Sequence, residues 1–309
     1  MTQTRRTVGL VGCGRWGALI LRDLLALGVD VAVLARTEET AARARQLGGA
    51  RSATKAGVLE GCAGVVVATP TSTHAEVVES VLPLEVPVFV EKPLTCHAPD
   101  AARIVARAPD RVFVMDKWRY HPGVAALARI ARSGELGAVQ GLRTVRVQSA
   151  AVHQDVDCTW TLGPHDLSIA LEVLGSVPTP VAAVGHVEAG RPSGLIGLLH
   201  DPAGPWLTVD IASNAPAHVR RIELHCTGGV ATLGDGWDEH VTITEATAED
   251  GAARAVRVVP TPGELPLAAE LRAFLAHLEG GPPPRSSALE GLRTVETIAE
   301  LRRLAGFAG

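Results

Sequence analysis

The sequence predicts two domains: an α/β domain with a doubly wound parallel sheet, followed by an α+β domain built on a large, mostly antiparallel open sheet. Three observations predict this. Up to residue 115, short β-branched apolar runs alternate with amphipathic stretches of helical period. Beyond residue 118, strand-like runs succeed one another without regular helical crossovers. A length of 309 residues exceeds what one ordinary core organises and is short for three. The domains are expected at 1–118 and 119–309, with the last helix, 287–304, packing back on the first.

In the first domain, strands are predicted at 8–11, 31–35, 64–68, 86–90 and 111–115. Each is nearly all apolar, as a strand must be when helices cover both faces of its sheet. Helices at 16–27, 38–47, 73–82 and 99–108 lie between them. In the second domain, a helix over 122–132 stops at Ser133-Gly134. Strands come next at 139–149, 181–187, 195–200, 207–213, 220–226, 230–233, 240–244 and 255–259, interrupted by a helix at 162–174. Helices at 265–278 and 287–304, separated by Pro282-Pro283-Pro284, close the chain.

Composition narrows the function classes. Nearly half the residues are apolar, and charges of both signs are interspersed around a net charge of -4, so no basic stripe for nucleic acid is present and small-molecule partners are expected. No stretch reaches the roughly 18 uncharged apolar residues of a membrane span. Arg5-Arg6 ahead of 7–13 faintly outlines an export signal, but that run is too short, and Arg15, Arg22 and Asp23 break up the residues after it. The five cysteines (Cys13, Cys62, Cys96, Cys158, Cys226) lie far apart with no CxxC pair. That argues against a disulfide framework or a zinc cluster and for free thiols in a reducing cytoplasm. Of 29 lysines and arginines, only Lys55, Lys92 and Lys117 are lysine. A lysine that survives such a bias is favoured for work a guanidinium cannot do, such as releasing a proton near neutral pH.

Gly12-Cys13-Gly14-Arg15-Trp16-Gly17 comes directly after the first strand and opens the first helix. In that setting the spacing has a mechanical reason. Gly12 permits the tight turn, Gly14 lets the backbone approach a pyrophosphate, and Gly17 allows close packing of helix on strand. The helix N-terminus then presents unpaired N–H groups and partial positive charge to the phosphates. This is the dinucleotide turn of a Rossmann domain. About 20 residues on, where an acidic residue would grip the ribose of NAD, the second strand ends Leu34-Ala35-Arg36-Thr37. With no carboxylate to repel a 2′-phosphate, and Arg36 and Thr37 to hold it, NADP(H) is favoured over NAD(H). The alternatives are that Arg36 is a solvated surface charge and that Glu38 or Glu39 reaches the ribose.

Glu91-Lys92-Pro93 is contiguous with the run 86–90, placing Lys92 at the carboxyl end of a strand, the edge where open α/β sheets bind ligands. A lysine beside a nicotinamide passes a proton to a ketone oxygen as hydride reaches the carbon, provided burial lowers its pKa. Glu91 is placed to position it.

These motifs, with Ala68-Thr69-Pro70-Thr71-Ser72-Thr73-His74 between them, resemble the successive signatures of the glucose-fructose oxidoreductase, inositol dehydrogenase and MocA (Gfo/Idh/MocA) family. The likeness continues through Tyr120-His121-Pro122, Ser133 to Gly137, and Trp160-Thr161-Leu162-Gly163-Pro164-His165-Asp166. It implies a Rossmann domain with a sheet domain after it, and NAD(P) facing a sugar-like or cyclitol-like substrate. By resemblance, Lys92 is the acid/base lysine and His165 the histidine that contacts the reacting oxygen. Thr69, Pro70 and Thr71 line the cofactor path, and His74 packs beneath that loop. Lys117, Tyr120, Thr161 and Asp166 are candidates for the substrate side. The family commonly has an aspartate four residues before the histidine; Thr161 stands there and cannot be a charged relay, unless Asp166 or a substrate group compensates.

His153, Asp155 and Asp157 suggest a polar loop lining the cleft more than a metal site, and no metal is expected. The resemblance also implies a homodimer or homotetramer formed through the second sheet. The function expected is NADP-dependent reduction of a keto-sugar, nucleotide-linked in the members most similar around Tyr120 and His165. Two other readings stay open: reduction of a ring C=N bond, which needs less acid assistance, and a non-catalytic NADP-binding sensor.

Overall fold

The computed structural model describes residues 6–149, 155–246 and 255–307. Two compact units emerge, one comprising the chain up to Lys117 together with Leu267–Val295, the other Trp118–Pro266 and the residues from Glu296 onward.

The first unit alternates β1 (Thr7–Val11), α1 (Arg15–Ala26), β2 (Asp30–Leu34), α2 (Glu38–Gln46), β3 (Arg51–Ala53), β4 (Gly64–Val67), α3 (His74–Val81), β5 (Val88–Glu91), α4 (Ala98–Arg107) and β6 (Val112–Met115). The strands form one sheet in the order β3-β2-β1-β4-β5-β6, with every pairing parallel. The order reverses beside β1, which places the carboxyl ends of β1 and β4 at the switch point where such sheets bind ligands. β3 is not among the strands that periodicity predicts. It is a three-residue edge strand with no fully buried residue, so it carries no apolar run to announce it.

Two later helices, α7 (Pro266–Leu278) and the start of α8 (Ala288–Leu304), belong to this unit. Leu267, Leu271 and Phe274 of α7 are buried in the core with Val66 and Phe89. Phe274 stacks on Phe89 at 4.9 Å between ring centres. A Cβ at Gly64 would stand 2.9 Å from the Phe274 ring and 2.8 Å from Leu278, so the missing side chain on β4 is what admits α7 to the sheet.

The second unit contains α5 (Pro122–Ser133), β7 (Val139–Val147), α6 (Cys158–Leu174), β8 (Pro180–Glu188), β9 (Arg191–His200), β10 (Trp206–Ala212), β11 (Val219–Cys226), β12 (Gly229–Leu233), β13 (His240–Glu245) and β14 (Val256–Pro260). Its sheet runs β14-β13-β12-β11-β7-β10-β9-β8. Only β7 and β10 pair in parallel; the other neighbours are antiparallel. Helix α6 packs on β7, β9 and β10. It begins four residues earlier than the sequence suggests: Asp157 caps it by accepting from Thr159 N at 2.9 Å, and the helix runs through Pro164. A proline removes one helical hydrogen bond, and packing against β7, β9 and β10 holds the helix across that gap.

The opposite face of this sheet is open. In β9, Leu195, Gly197 and Leu199 are buried while Ile196 and Leu198 alternate outward. Val184 of β8, 71% exposed, lies directly across from Ile196, 58% exposed. Among the described residues, no helix is long and apolar enough to cross a membrane.

Candidate active site

In the first unit, the glycine-rich turn has the expected form with one change of detail. Gly12 has φ +92° and backs onto β4, where a Cβ would meet the Ala68 carbonyl at 2.6 Å. Gly14 is the N-cap of α1, and a Cβ there would have nothing within 4 Å. That open side is the approach a pyrophosphate needs, so these residues fit a bound dinucleotide. Gly17 is expected to bring helix close to strand; its tight contact is instead with the turn itself, where an added Cβ would collide with the Gly12 carbonyl. Cys13 is buried, which raises its thiol pKa, while Arg15 is exposed.

At the end of β2, Ala35 is fixed by its N–H to the Ala53 carbonyl at 2.9 Å. Thr37 caps α2 by accepting from Thr40 N at 3.2 Å, so part of its hydroxyl is committed to the helix. Glu38 pairs with Arg45 at 2.9 Å, which turns that carboxylate to a protein partner. Arg36 is exposed, and Arg43 stands close enough to Cys13 to lower its pKa against the larger effect of burial.

The loop after β4 is clamped from beneath. His74 is buried, with Nδ1 2.8 Å from the Pro93 carbonyl and Nε2 3.1 Å from the Thr69 carbonyl. The imidazole thus ties the Thr69-Pro70 turn to the cis Lys92-Pro93 peptide. Thr73 closes the same turn, donating to Thr69 Oγ1 at 2.9 Å or Pro70 O at 2.7 Å. Thr71 is buried within it.

Lys92 comes immediately after Glu91, the last residue of β5, and is half-buried. Glu91 is buried and accepts a hydrogen bond from the indole N–H of Trp16. Burial pushes its carboxyl pKa up, opposed by the charges of Lys92 and Lys117 and by the Trp16 bond. Lys117 places its ammonium 4.5 Å from the centre of the Trp16 ring, a cation–π contact. Two lysines, one carboxylate and the aromatic of the dinucleotide turn therefore meet at the carboxyl ends of β5 and β6. Glu270 of α7 joins them. Its carboxyl is buried with neither oxygen hydrogen-bonded, and burial, then the charges of Glu91 and Asp116, drive its pKa well up against the pull of Lys117. Glu270 is not among the residues expected from sequence, although it sits in the stripe Leu267, Glu270, Leu271, Phe274, where helical spacing puts it among core residues.

In the second unit, Trp118 anchors a polar-aromatic cluster. His121 stacks on it at 4.9 Å, His165 meets it edge-on at 6.4 Å, and the Arg146 guanidinium lies 4.4 Å from the ring centre. His121 accepts from Gly123 N at Nδ1 and reaches the Gly236 carbonyl through Nε2, which sets its tautomer. Tyr120 lies in the short turn Lys117–Tyr120 and is half-buried. Thr161 is buried, with its hydroxyl 3.3 Å from the Cys158 carbonyl one turn back. Asp166, expected on the substrate side, is instead the counter-ion of a buried arginine: both its oxygens lie 3.1 Å from Arg146 Nε. One residue after His165, it lies about 100° further round α6, where it meets Arg146 of β7. Arg146 is a residue that the motifs do not signal, yet it is in phase with Leu142 and Thr144 on the buried face of β7, a placement the period of a strand makes readable.

Asp157 is the cap of α6 and pairs with Arg302 at 2.6 Å, which gives that carboxylate a structural partner. Asp155 lies in a bend ahead of α6, and His153 is outside the described residues. Among the described residues, no group of three or more His, Cys, Asp or Glu is arranged to hold a metal.

The six-stranded parallel sheet and its glycine turn define the first unit as an NAD(P)-binding Rossmann domain. Residues 6–114 match a family model described as an oxidoreductase family with an NAD-binding Rossmann fold. Over that stretch the chain is similar to the Gfo/Idh/MocA oxidoreductases. It is 34% identical over 146 residues to myo-inositol dehydrogenase Hyg17 of Streptomyces leeuwenhoekii, an alignment covering 45% of each chain. It is 29% identical over 219 residues to UDP-N-acetylglucosamine 3-dehydrogenase of Acidithiobacillus ferrooxidans, covering 69% of this chain and 66% of that protein. The matches thus span about half and about two thirds of these relatives. The fold is shared along the whole chain with a structure of the latter enzyme, GnnA (TM-score 0.85, 22% identity, 99% of each chain). It is also shared with KijD10, a 3-ketoreductase from Actinomadura kijaniata in complex with TDP-benzene and NADP (TM-score 0.82, 20% identity, 97% of this chain and 98% of that one).

Proposed function

We propose that this chain is an NADP-dependent oxidoreductase that reduces a keto group on a sugar-like substrate, with Lys92 as the proton donor. The observation that carries the reading is the arrangement around Glu91. The last residue of β5 is bonded to the indole of the dinucleotide turn and lies within electrostatic reach of both Lys92 and Lys117. Bound nicotinamide supplies the hydride. Lys92 holds the proton that the product alcohol requires, beside the Glu91 carboxylate. His165 is assigned to the substrate oxygen by family resemblance, with Thr161 and Tyr120 on the same unit.

The choice of NADP rests on charge at the end of β2. No carboxylate comes after Leu34 until Glu38, which is occupied by Arg45, whereas Arg36 and Arg43 make no ion pair among the described residues. A guanidinium fork suits a 2′-phosphate. The names of the relatives support a sugar or cyclitol as substrate. The exposed ladder of Val184 and Ile196 supports pairing of the second sheet with another copy of the chain.

The test measures NADPH and NADH binding by fluorescence, then turnover on keto-sugars and cyclic imines by loss of nicotinamide absorbance. Wild type is expected to bind NADPH more tightly and to consume it with a keto-sugar. Lys92→Ala should bind it nearly as well and turn over at least about a hundredfold more slowly. A Lys92→Ala variant that keeps most of the rate overturns the assignment. Consumption of cofactor by imines alone moves the reading to C=N reduction.

A further inference from the structure

Trp237 is the most exposed large apolar side chain among the described residues, at 79%. It stands in the connection from β12 to β13, residues 234–239, and that turn is locked. Asp235 Oδ1 accepts from Trp237 N at 3.0 Å, Asp238 Oδ2 from Asp235 N at 2.8 Å, and the Asp235 carbonyl from Asp238 N at 3.1 Å. His121 donates from Nε2 to the Gly236 carbonyl at 2.9 Å. Gly236 also backs onto Trp118, where a Cβ would stand 2.6 Å from the ring. The turn is thus pinned to the ring that His121 stacks on and His165 meets edge-on. It holds in water an indole whose burial would be favourable, beside the residues assigned to the substrate. Asp235 and Asp238, half-buried on either side of Trp237, each keep one carboxylate oxygen without a hydrogen bond among the described residues. Arg220 attracts Asp235 but gives its hydrogen bonds to Gln148 and His218.

We propose that Trp237 is a specificity-determining residue: its indole stacks on the C–H face of a sugar ring, while Asp235 and Asp238 accept hydrogen bonds from hydroxyls at the ring's edge. A pyranose is polar around its rim and apolar on its faces. Its C–H hydrogens carry partial positive charge, which meets the negative face of an indole, and carboxylate oxygens are strong acceptors for hydroxyls. The turn is already fixed by its own hydrogen bonds and by His121, so little ordering is required when a ring settles on it. The platform therefore selects for a closed ring over an open polyol of the same hydroxyl content. This deepens the functional reading above, on which it rests for the sugar-like nature of the substrate.

Trp118 and Trp160 are buried and Trp16 and Trp206 half-buried, so the iodide-quenchable emission of the full chain belongs chiefly to Trp237, and the difference between wild type and Trp237→Phe isolates it. The probe is methyl β-D-glucopyranoside, titrated with NADP+ present, and sorbitol is the open-chain control. The pyranoside is expected to shield Trp237 from iodide and shift its emission to the blue, and sorbitol to do neither. By calorimetry, Trp237→Ala should bind the pyranoside at least about fivefold more weakly than wild type, with Trp237→Phe between them. Both variants should melt with wild type, as substitutions of exposed residues do. Absence of shielding, equal shielding by sorbitol, or equal pyranoside affinity in wild type and Trp237→Ala overturns the proposal. Shielding without sugar that grows with protein concentration also overturns it and assigns the indole to a contact between copies of the chain. Pyranoside binding with no NADPH consumed on any keto-sugar sinks the reductase and leaves this subsite standing. Turnover with an unchanged KM in Trp237→Ala sinks the subsite alone.

Discussion

The indole N–H of Trp16 donates to a carboxylate oxygen of Glu91, joining the turn that cradles a dinucleotide to the strand end that presents Lys92. Trp16 is the fifth residue of the glycine motif and Glu91 the first of Glu-Lys-Pro. The two signatures are one structure.

Trp16→Phe keeps the ring and removes the donor. Glu91 stays buried with one partner fewer, and a hydrogen bond to a charged group is worth about 1.5–3 kcal/mol. A loss of that size is expected in urea denaturation. Because the bond holds the Glu91 pKa down, the variant should also take up a proton there at higher pH, seen as an altered pH profile of turnover.

His74 bridges two carbonyls across the cofactor loop. His74→Ala should lower stability by about 1–3 kcal/mol and weaken NADPH binding, with the Lys92 chemistry affected only through that binding. His74→Asn, which retains a donor of similar reach, should recover part of both. Unchanged NADPH affinity in His74→Ala would show that the loop holds its shape without the clamp.

Glu270 gives the chain a predictable response to alkali. Its folded-state pKa lies above the unfolded one, so the folded form holds the proton more tightly. The stability this confers is full below the ordinary carboxyl range and is lost as pH rises through the raised value. Glu270→Met removes the buried charge and should be more stable than wild type at pH 8 by about 1–3 kcal/mol. The gap should narrow toward acid pH in melting curves. A gap independent of pH would mean that the carboxyl does not titrate as burial demands.

On the open face of the second sheet, Val184→Asp sets a charge opposite Ile196. Sedimentation velocity should show wild type as a dimer or tetramer and the variant as a smaller species. A monomeric wild type at micromolar concentration would dismiss sheet pairing.

The strands that bury both faces were legible because nothing but apolar residues can fill them, and the glycine turn because its spacing is dictated by backbone contact. β3 was hidden because three edge residues carry no pattern. Arg146, Arg220 and Glu270 escaped for a different reason: a charged residue reads as surface unless its phase along the strand or helix is checked against its neighbours. Arg220 falls in register with Ile222 and Leu224, and Glu270 with Leu267 and Phe274, so periodicity already carried the information. What periodicity does not contain is the partner. That Asp166 pairs with Arg146, and attracts Arg220 beside it, depends on which helix crosses which strand.

Phe274 completes the core around Phe89, yet it is made 185 residues later in the chain. A ribosome therefore releases all six parallel strands while the helix that seals them is still untranslated. The nascent domain must wait, partly open, through synthesis of nearly the whole second unit. Messages truncated before α7 should accordingly yield a sticky, chaperone-bound fragment in place of a free-standing nucleotide-binding module.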